Sequence, residues 1–464
     1  MSDYYYCLFV TLNSNKLADP KSVRALPGGY LAALVVASFC AALTTYMDYP
    51  EYGLSAALIA WTLIPALWLT DRIVFDGRRV RRTGLFPRML ARATGLRDRI
   101  KLSDIEQVET SVFPGIKRGR NVYYTYRTSV SGKGVRFVFS SGHRGYLGVV
   151  KSLFPRLAED ILDNPSIDLR DYLVGKDELR RRTRQSEIPS ADVLSESFKE
   201  IHVRSKSENE PTGDQEEKAN YLRRLANELR LSGRLLQALE AFRRAAVLRP
   251  GDARLLFEFA ECLRLVAGSE SDTKLERRAL AMMRLAERHA ENDRDLLARI
   301  GECYFQIGEW RRAAIVFKRT SDAFGETYRT VRGMAELALR EGKLAHVIHN
   351  FGSANKLAET NSLKRWTQTE IDYFTHLNSD EEYMELEISR VNLLDTLART
   401  RRAALRMSII GWGAIGLGIS LDDSLVTDLG WTVSGASLVV WIVMIVMIKM
   451  LSPRIPFEML ETER

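Results

Sequence analysis

Residues 219–252 read ANYLRRLANELRLSGRLLQALEAFRRAAVLRPGD, a stretch in which two helical patterns flank a turn at Gly233. Apolar residues recur every three or four positions on both sides of this turn, which predicts a pair of antiparallel helices. The pattern begins again at Ala253, Arg294 and Tyr328, with seven extra residues in the GSESDTK turn of the second unit. The repetition therefore organises residues 218–361 into four helical pairs.

Small and aromatic residues of the first unit match a known repeat family. The matching residues are Gly233, Ala238, Phe242, Ala245 and Pro250. In these residues the chain resembles the tetratricopeptide repeat (TPR) family, in which Ala or Gly lets paired helices approach closely. The resemblance implies an all-α superhelix that binds protein partners in a concave groove and has no enzymatic site. Residues 362–402 are expected to form capping and connecting helices.

Polar residues of the first helices are expected to face the concave groove. The candidate partner-binding residues are Arg223, Asn227, Arg230, Arg254, Arg264, Arg329 and Arg332. Interspersed with them are Glu261, Glu302 and Glu336. This mixture favours an acidic or mixed-charge partner segment. Arg223 and Asn227 resemble two members of the set with which some TPR proteins grip a peptide carboxylate, but Glu258 stands where an Asn is expected.

Four apolar runs are long enough, or nearly so, to cross a bilayer. They cover residues 30–47, 54–70, 405–421 and 431–450. A spanning helix needs about 17 to 25 residues, so the runs predict two transmembrane hairpins, at residues 30–70 and 403–450. The alternatives are a cleaved signal peptide for the first run, or four buried helices of a soluble protein. A second apolar run directly behind the first argues against the signal peptide.

Charges beside these runs predict their orientation. The basic flanking residues are Lys16, Lys21, Arg24, Arg72, Arg78, Arg79, Arg399, Arg401, Arg402, Arg406, Lys449 and Arg454. The hairpin loops, DYPEYG from Asp48 and DDSLVTDLG from Asp422, contain acids and no Lys or Arg. Because cytoplasmic flanks carry the excess of Lys and Arg, we expect a bacterial inner-membrane protein. Its residues 1–29, its central domains and its residues 451–464 are then cytosolic.

The third apolar run contains GWGAIG at residues 411–416, which has the G-x-G-x-x-G spelling of a dinucleotide site. No strand precedes it, so small residues that let helices pack closely in lipid are the better interpretation. The candidate packing residues are Ala414, Gly416, Gly418 and Ser420. We also expect the first and last runs to pack together.

Residues 71–175 change to short β-type runs. These runs are RIVFDG, RRVRRTGLF, IKLSDIEQVETSVF, NVYYTYRTSV and VRFVFSS, with a four-residue SGKG loop between the last two. A closing helix is expected to bury the stripe Tyr146, Val149, Val150, Leu153, Phe154, Leu157 and Ile161. Antiparallel strands and one closing helix, directly after a transmembrane hairpin, resemble the bacterial pleckstrin-homology-like (PH-like) domains. The resemblance implies a small barrel-like domain for oligomerisation or membrane-face contacts.

The β module is strongly basic. Residues 71–160 hold 19 Lys and Arg against 8 Asp and Glu, whereas the whole chain of 464 residues has a net charge of only +8. Two clusters are candidate contacts to anionic lipids: Arg78, Arg79, Arg81 and Arg82, and Lys117, Arg118 and Arg120. The alternative is that these residues only enforce topology and solubility. Nucleic acid is not expected, because no nucleic-acid motif accompanies the charge.

Residues 176–217 are rich in Ser, Glu, Lys and Arg and predict a flexible linker with one short helix at most. No phosphate-binding loop, nucleophile elbow or zinc-protease motif occurs in the chain. Catalysis, a cofactor and a metal site are therefore not expected. The N-terminal DYYYCLFVTL is open to three interpretations, an added strand, an interfacial anchor or a partner-binding segment.

The sequence thus predicts a multidomain membrane protein with four transmembrane helices, a small β-rich PH-like barrel and an all-α TPR superhelix. The favoured function is a scaffold or adaptor that recruits a protein partner through the repeat groove. The alternative is a lipid-responsive regulator, or a self-assembling subunit of a homo-oligomer or larger membrane complex, acting through the basic module.

Overall fold

The structure, a computed structural model, describes residues 21–94, 97–118, 121–143, 145–186, 213–270, 272–452 and 454. These residues form two compact units. The first comprises the described residues up to Leu26 together with Leu67–Gln368. The second comprises Pro27–Ala66 and the described residues from Thr369 onward. The segment DYYYCLFVTL and residues 187–212 of the predicted linker lie outside the described residues.

The β module of the first unit contains two antiparallel sheets. Four strands form one sheet in the order β1 (Lys21–Arg24), β2 (Arg72–Phe75), β3 (Arg79–Thr83) and β4 (Arg99–Lys101). The other sheet consists of β5 (Gln107–Arg118), β6 (Asn121–Gly132) and β7 (Val135–Ser140). One isolated bridge, Ala25 with Phe139, links the two sheets among the described residues, so they do not close into the predicted barrel. The strand β1 precedes the first apolar run and was not predicted.

The turn between β6 and β7 is shorter than predicted. Only Lys133 and Gly134 separate the strands, and both have positive φ, at 49° and 74°. Two such residues form the mirror-image turn whose twist matches a β-hairpin. The Lys133 ammonium also lies 2.9 Å from the Asp104 carboxylate, which holds this non-glycine residue in its uncommon conformation.

The predicted closing helix is broken into several pieces. Helix α4 (Tyr146–Leu153) ends before Pro155, because proline has no N–H to continue the helical hydrogen bonds. Two short 3-10 turns, Phe154–Arg156 and Glu159–Ile161, follow before helix α5 (Asn164–Tyr172). All seven residues of the predicted stripe are nevertheless buried in the module core. The hydrophobic pattern was therefore correct although the helix was not continuous.

The sequence that follows β3 also differs from the prediction. Leu85 and Phe86 were assigned to a strand but begin helix α3 (Leu85–Thr94). This helix exposes Leu85, Phe86 and Met89. Arg88 and Arg92 lie on the same helix, so it presents apolar and basic side chains together.

The repeat domain consists of four helical pairs. They are α7 (Gly213–Leu231) with α8 (Leu235–Leu248), α9 (Ala253–Glu270) with α10 (Thr273–His289), α11 (Arg294–Gln306) with α12 (Trp310–Phe324), and α13 (Tyr328–Arg340) with α14 (Leu344–Leu357). Three pairs begin at the predicted residues Ala253, Arg294 and Tyr328. The seven-residue insertion lengthens α9 to 18 residues, whereas α11 and α13 have 13 each.

Part of the predicted linker is structured. Helix α6 (Lys176–Gln185) places Leu179 in the core of the repeat domain. Its Arg182 guanidinium also lies 2.6 Å from the Glu228 carboxylate on α7. Residues 176–185 are therefore not a flexible tether, and the β module and the repeats form one compact unit.

Four helices are long and apolar enough to cross a membrane by length and composition. They are α1 (Gly28–Tyr46), α2 (Pro50–Thr70), α16 (Glu381–Leu421) and α17 (Ser424–Leu451). Helix α15 (Asn361–Ser379) precedes α16, which continues without a break from the predicted connecting region through the third apolar run. As predicted, the first and last runs are in contact: Phe39 of α1 lies 5.4 Å, ring to ring, from Trp431 of α17.

Small residues allow α16 and α17 to approach closely. A Cβ on Gly418 would lie only 2.6 Å from the backbone nitrogen of Thr427. A Cβ on Gly411 would lie 2.8 Å from the backbone nitrogen of Ser434. The predicted Gly418 therefore belongs to this interface, and Ala414 is partly buried beside it. Gly416 and Ser420 are exposed on another face of α16, so a packing role for these two residues stays a prediction. The buried residues of this face, Ser408, Gly411, Ile415 and Gly418, recur at alternating three- and four-residue spacing.

Gly418→Ala is expected to destabilise the α16–α17 pair by about 1–3 kcal/mol, because the new Cβ meets backbone that must move. Gly416→Ala is the matched control, since nothing lies within 4 Å of its Cβ position. Thermal unfolding of the full chain in mild detergent compares the two variants. Equal midpoints would contradict the assigned contact face.

Candidate protein-binding groove

The chain's own β module covers part of the groove face of the repeats. Helix α5 lies against it, held between α7 and α11. Most of the predicted groove residues do lie near one another on the first helices of the repeats. Several of them, however, are already engaged by the segment from Glu159 to Tyr172.

A buried charge cluster attaches the middle of α5. The Asp168 carboxylate lies 2.7 Å from Arg230 of α7 and 2.9 Å from Arg299 of α11. Arg230 also lies 3.3 Å from Glu261 of α9. Burial alone raises the pKa of Asp168, but the two guanidinium groups outweigh it and hold that pKa below its usual range. Asp168 is therefore a charged side chain in a nearly closed site.

Polar contacts also hold both ends of α5. At its N-terminus the Asn164 amide donates to the Arg299 carbonyl at 3.3 Å and accepts from Arg299 Nε at 3.2 Å. At its C-terminus the Tyr172 hydroxyl donates to Glu258 at 2.7 Å. These contacts fix the register of the helix across three repeats.

The same Glu258 explains why a carboxylate clamp is not available here. Its buried side chain accepts a hydrogen bond from Asn227 at 2.7 Å and lies 3.5 Å from Arg223. Both residues that resemble a clamp therefore contact the same internal carboxylate. Because Asn227 and Arg230 are buried under α5, an external partner reaches them only if α5 moves.

The remaining predicted groove residues differ in accessibility. Arg329 donates to Asn164, to the Leu162 carbonyl and to Glu302, so it also contacts the β module. Arg332 pairs with Glu336 at 3.0 Å. Its guanidinium stacks over Trp366, with 5.1 Å to the ring centroid.

Two predicted arginines of α9 make local pairs instead. Arg254 lies 3.2 Å from Asp293, and Arg264 lies 3.6 Å from Glu261. Neither of these pairs involves α5. Partner binding by any of the seven residues stays a prediction.

Sequence reasoning missed the residues on the β-module side of this contact, namely Asn164, Asp168 and Tyr172. It also missed Arg299, although a signal was present. Arg299 occupies the fifth residue after the start of its repeat, in phase with Glu258. A comparison of in-phase positions for opposite charge would have indicated that both face the groove.

Part of the groove stays open beside the β module. A cavity of about 400 Å³ is lined by strand β5, by residues 160–163, and by the helices α11 and α13. Its charged lining residues are Glu109, Asp160, Asp163, Glu302, Arg329, Arg332 and Glu336. Both arginines are paired with glutamates of the cavity, so acids are in excess. Phe305, Phe317 and Tyr328 add apolar surface.

The N-cap of α5 responds to pH. Burial raises the pKa of Asp163 to about 6, although hydrogen bonds from Ser166 and the Thr110 N–H oppose the rise. Because the folded-state pKa exceeds the usual value of about 4, this residue favours the folded state most at low pH. Its contribution is lost as the pH rises from about 4 to 6.

Asp163→Asn removes this titration. The free energy of unfolding of the variant minus that of the native chain is expected to rise by about 3 kcal/mol from pH 4 to pH 7. This rise corresponds to a two-unit pKa shift. Urea unfolding of both chains at several pH values measures the difference. A difference that stays constant with pH would show that Asp163 does not titrate in this range.

The predicted lipid-contact clusters separate in the structure. Arg78, Arg79 and Arg81 are exposed. Arg82 instead forms a two-pronged pair with the buried Asp71, at 2.6 Å for its shortest contact, and therefore supports the fold of the module. The side chains of Lys117, Arg118 and Arg120 lie outside the described residues.

A search of the solved structures found chains with similar helices. A thermophilic TPR protein of Thermus thermophilus aligns over 42% of this chain and 98% of its own, with 18% identity and a TM-score of 0.29. Pseudomonas aeruginosa pilF aligns over 47% and 90%, with 17% identity and a TM-score of 0.30. The Cut9–Hcn1 hetero-tetramer of APC/C aligns over 64% and 53%, with 12% identity and a TM-score of 0.28. Neither a family model nor a curated protein matches the sequence.

Proposed function

We propose that this chain is a membrane-anchored adaptor, not an enzyme, that recruits a protein partner at the cytoplasmic face through its repeat domain. The observation that carries this proposal is the groove itself. It holds one helix of the chain through a buried charge cluster and leaves an adjoining cavity of about 400 Å³ open. A surface that already binds a helix in cis has the shape and chemistry to bind a second segment.

The membrane anchor is supported by the four long apolar helices and by the charges around them. Basic residues flank their outer ends, and the connecting loops are acidic. Helix α3 adds to this support, because exposed Leu85, Phe86 and Met89 together with Arg88 and Arg92 suit a membrane interface. In the proposed topology both connecting loops are extracytoplasmic.

Cysteine labelling tests this topology before any partner is known. Tyr52→Cys, in the exposed first turn of α2, should react with a membrane-impermeant thiol reagent applied to the periplasmic side. Ser186→Cys, at the end of α6, should react only after the membrane is opened. The opposite pattern would reject the proposed orientation.

The open cavity favours a partner with basic side chains. Five acids and two paired arginines line it, so a Lys or Arg of the partner would find unbalanced carboxylates. This revises the acidic or mixed-charge partner expected from the sequence, since the arginines behind that expectation are occupied by Asp168, Glu258, Glu302 and Glu336.

Co-purification of the full-length chain from mild detergent tests recruitment. The test variant is Glu109→Gln/Asp160→Asn, which removes two cavity charges that neither cavity arginine neutralises and keeps side-chain shape. The matched control is Asp322→Asn/Glu341→Gln, which removes two exposed charges outside the cavity. A stoichiometric partner lost only from the test variant supports the proposal. Equal retention by both variants would show that the cavity is not the recruiting surface.

A lipid-responsive or self-assembling regulator is the second candidate. It is supported by the exposed Arg78, Arg79 and Arg81 and by the resemblance of the module to PH-like domains. Replacing these three arginines with Gln should leave partner co-purification intact if the chain is an adaptor. A lipid-responsive regulator should instead lose its response.

A further inference from the structure

A second cavity, of about 520 Å³, lies on the β module away from the repeat groove. Its lining residues are Ser22, Arg24, Arg72, Gly142, His143 and Gly145. Two arginines and a histidine thus meet in one pocket, and no described acidic residue lines it. An unbalanced positive pocket of this kind suits an anion.

The strand register brings the two arginines together. Arg24 and Arg72 are direct partners at the ends of β1 and β2, so their side chains leave the sheet at the same point. Both arginines are exposed. Like charges on directly opposite residues of two strands repel each other, and an anion bound between them would offset this repulsion. The strand ends thus place two guanidinium groups at the mouth of one pocket.

His143 contributes an imidazole ring to the lining of the pocket. Burial and the nearby Arg24 lower the pKa of His143 below its usual value, so the positive charge of the pocket comes from the two arginines. Helix α4 begins three residues after His143, and no side chain caps its N-terminus. Helix N-termini favour negative charge.

Trp68 places the pocket beside the end of α2. Its indole N–H donates to the Ala25 carbonyl at 3.2 Å, its ring lies 5.9 Å from the Arg24 guanidinium, and its centroid lies 6.4 Å from that of His143. Tryptophan at the end of an apolar helix is typical of the level of lipid headgroups. The pocket therefore lies where a headgroup phosphate is found if α2 spans the membrane.

We infer that Arg24, Arg72 and His143 form a phosphate-binding site, whose ligand is an anionic lipid headgroup or a free phosphate. The lipid form of this inference rests on the membrane anchor proposed above. The site differs from the two lipid-contact clusters expected from the sequence, because it is a concave pocket with convergent donors. Arginine suits this task, since its planar guanidinium binds phosphate oxygens in pairs.

Binding to the purified full-length chain tests the site with two probes, dioctanoyl-phosphatidylglycerol and inorganic phosphate. The test variant is Arg24→Gln/Arg72→Gln, and Arg97→Gln/Arg99→Gln is the control with the same loss of charge, at exposed positions by the opposite edge of the same sheet. We expect saturable binding that weakens at least tenfold in the test variant and less than twofold in the control. Thermal unfolding of both variants checks that the module remains folded.

The two probes separate the possible sources of the ligand. Binding of the lipid alone assigns the site to the membrane, and competition by inorganic phosphate at similar concentration assigns it to a soluble anion. An equal loss in both variants, or no saturable binding of either probe, would overturn the inference. Cysteine labelling and partner co-purification report on the adaptor function separately, so they stay interpretable if this site fails.

Discussion

Asp168→Ala is expected to lower the free energy of unfolding of the first unit by about 3–5 kcal/mol, the usual cost of leaving a buried charge without its partner. Two guanidinium groups, Arg230 and Arg299, lose their shared carboxylate in a site where Asp168 and Arg230 are each only 4% exposed at the side chain. Urea unfolding followed by tryptophan fluorescence measures the change. We expect α5 to detach from the repeats first.

Asp171→Ala is the matched control, because it removes an aspartate from the same helix at an exposed position. Its effect should stay within about 0.5 kcal/mol. Asp168→Leu combined with Arg230→Met, Arg299→Met and Glu261→Met removes all four charges of the cluster. Because apolar replacement of a complete ion cluster is often neutral, this variant should recover most of the loss. A loss below about 1 kcal/mol for Asp168→Ala alone would show that the cluster does not hold α5.

The cluster also predicts an acid-dependent change. The folded-state pKa of Asp168 lies below its usual range, so its contribution is complete at neutral pH and is lost as the pH falls below about 4. The penalty of Asp168→Asn should therefore shrink at low pH. This trend has the opposite sign to that of Asp163, which lies five residues away on the same segment.

The second large effect concerns the packing of Phe317 between two glycines. A Cβ on Gly333 would lie 2.4 Å from the Phe317 ring, and one on Gly301 would lie 2.6 Å from it. Gly333→Ala is therefore expected to destabilise the repeats by about 1–3 kcal/mol through overpacking. Nothing lies within 4 Å of the Cβ position of Gly352, so Gly352→Ala should instead stabilise its helix by about 0.5–1 kcal/mol.

Opposite signs for two Gly→Ala changes, both in repeat helices, distinguish packing from helix propensity. Thermal unfolding is measured for Gly333→Ala, Gly352→Ala, Phe317→Leu and the double variant Gly333→Ala/Phe317→Leu. The smaller Leu should relieve part of the clash, so the two changes should cost less together than their separate effects predict. If Gly333→Ala and Gly352→Ala both stabilise the chain, the Phe317 contact is wrong.

The repeat boundaries could be predicted because each pair repeats the same local pattern. Ala253, Arg294 and Tyr328 begin helices as the period predicted, and the buried stripe from Tyr146 to Ile161 was also correct. These features depend on residues close in sequence. The break at Pro155 also has a local cause, because proline has no N–H to continue the helical hydrogen bonds.

Long-range pairing explains what the sequence did not predict. Strand β1 pairs with β2 across both apolar helices, α1 and α2, so nothing near Lys21 in sequence indicates a sheet. Docking of α5 depends in the same way on Asp168 meeting Arg230 and Arg299, which are 62 and 131 residues away. The sequence therefore placed Arg230 on the groove face but could not show that α5 buries it there.

The charge preference of the open cavity could not be predicted by counting charged residues in the sequence. From the sequence, seven basic or polar positions with interspersed glutamates favoured an acidic or mixed-charge partner. The structure pairs most of those arginines with carboxylates of the same unit and leaves Asp160 and Glu109 at the edge of an unfilled space. Charge preference of a groove depends on which charges are already neutralised, and this follows only from the tertiary contacts.

Hydrogen exchange of the full-length chain, reconstituted in lipid nanodiscs, tests most directly the claim that α5 closes part of the repeat groove. The amides of Asn164–Tyr172 are predicted to exchange as slowly as those of the facing helices α7 and α11, and to lose this protection in the Asp168→Ala variant. Rapid exchange of α5 in the native chain, while α7 and α11 stay protected, would contradict the account, because the groove would then be free along its whole length.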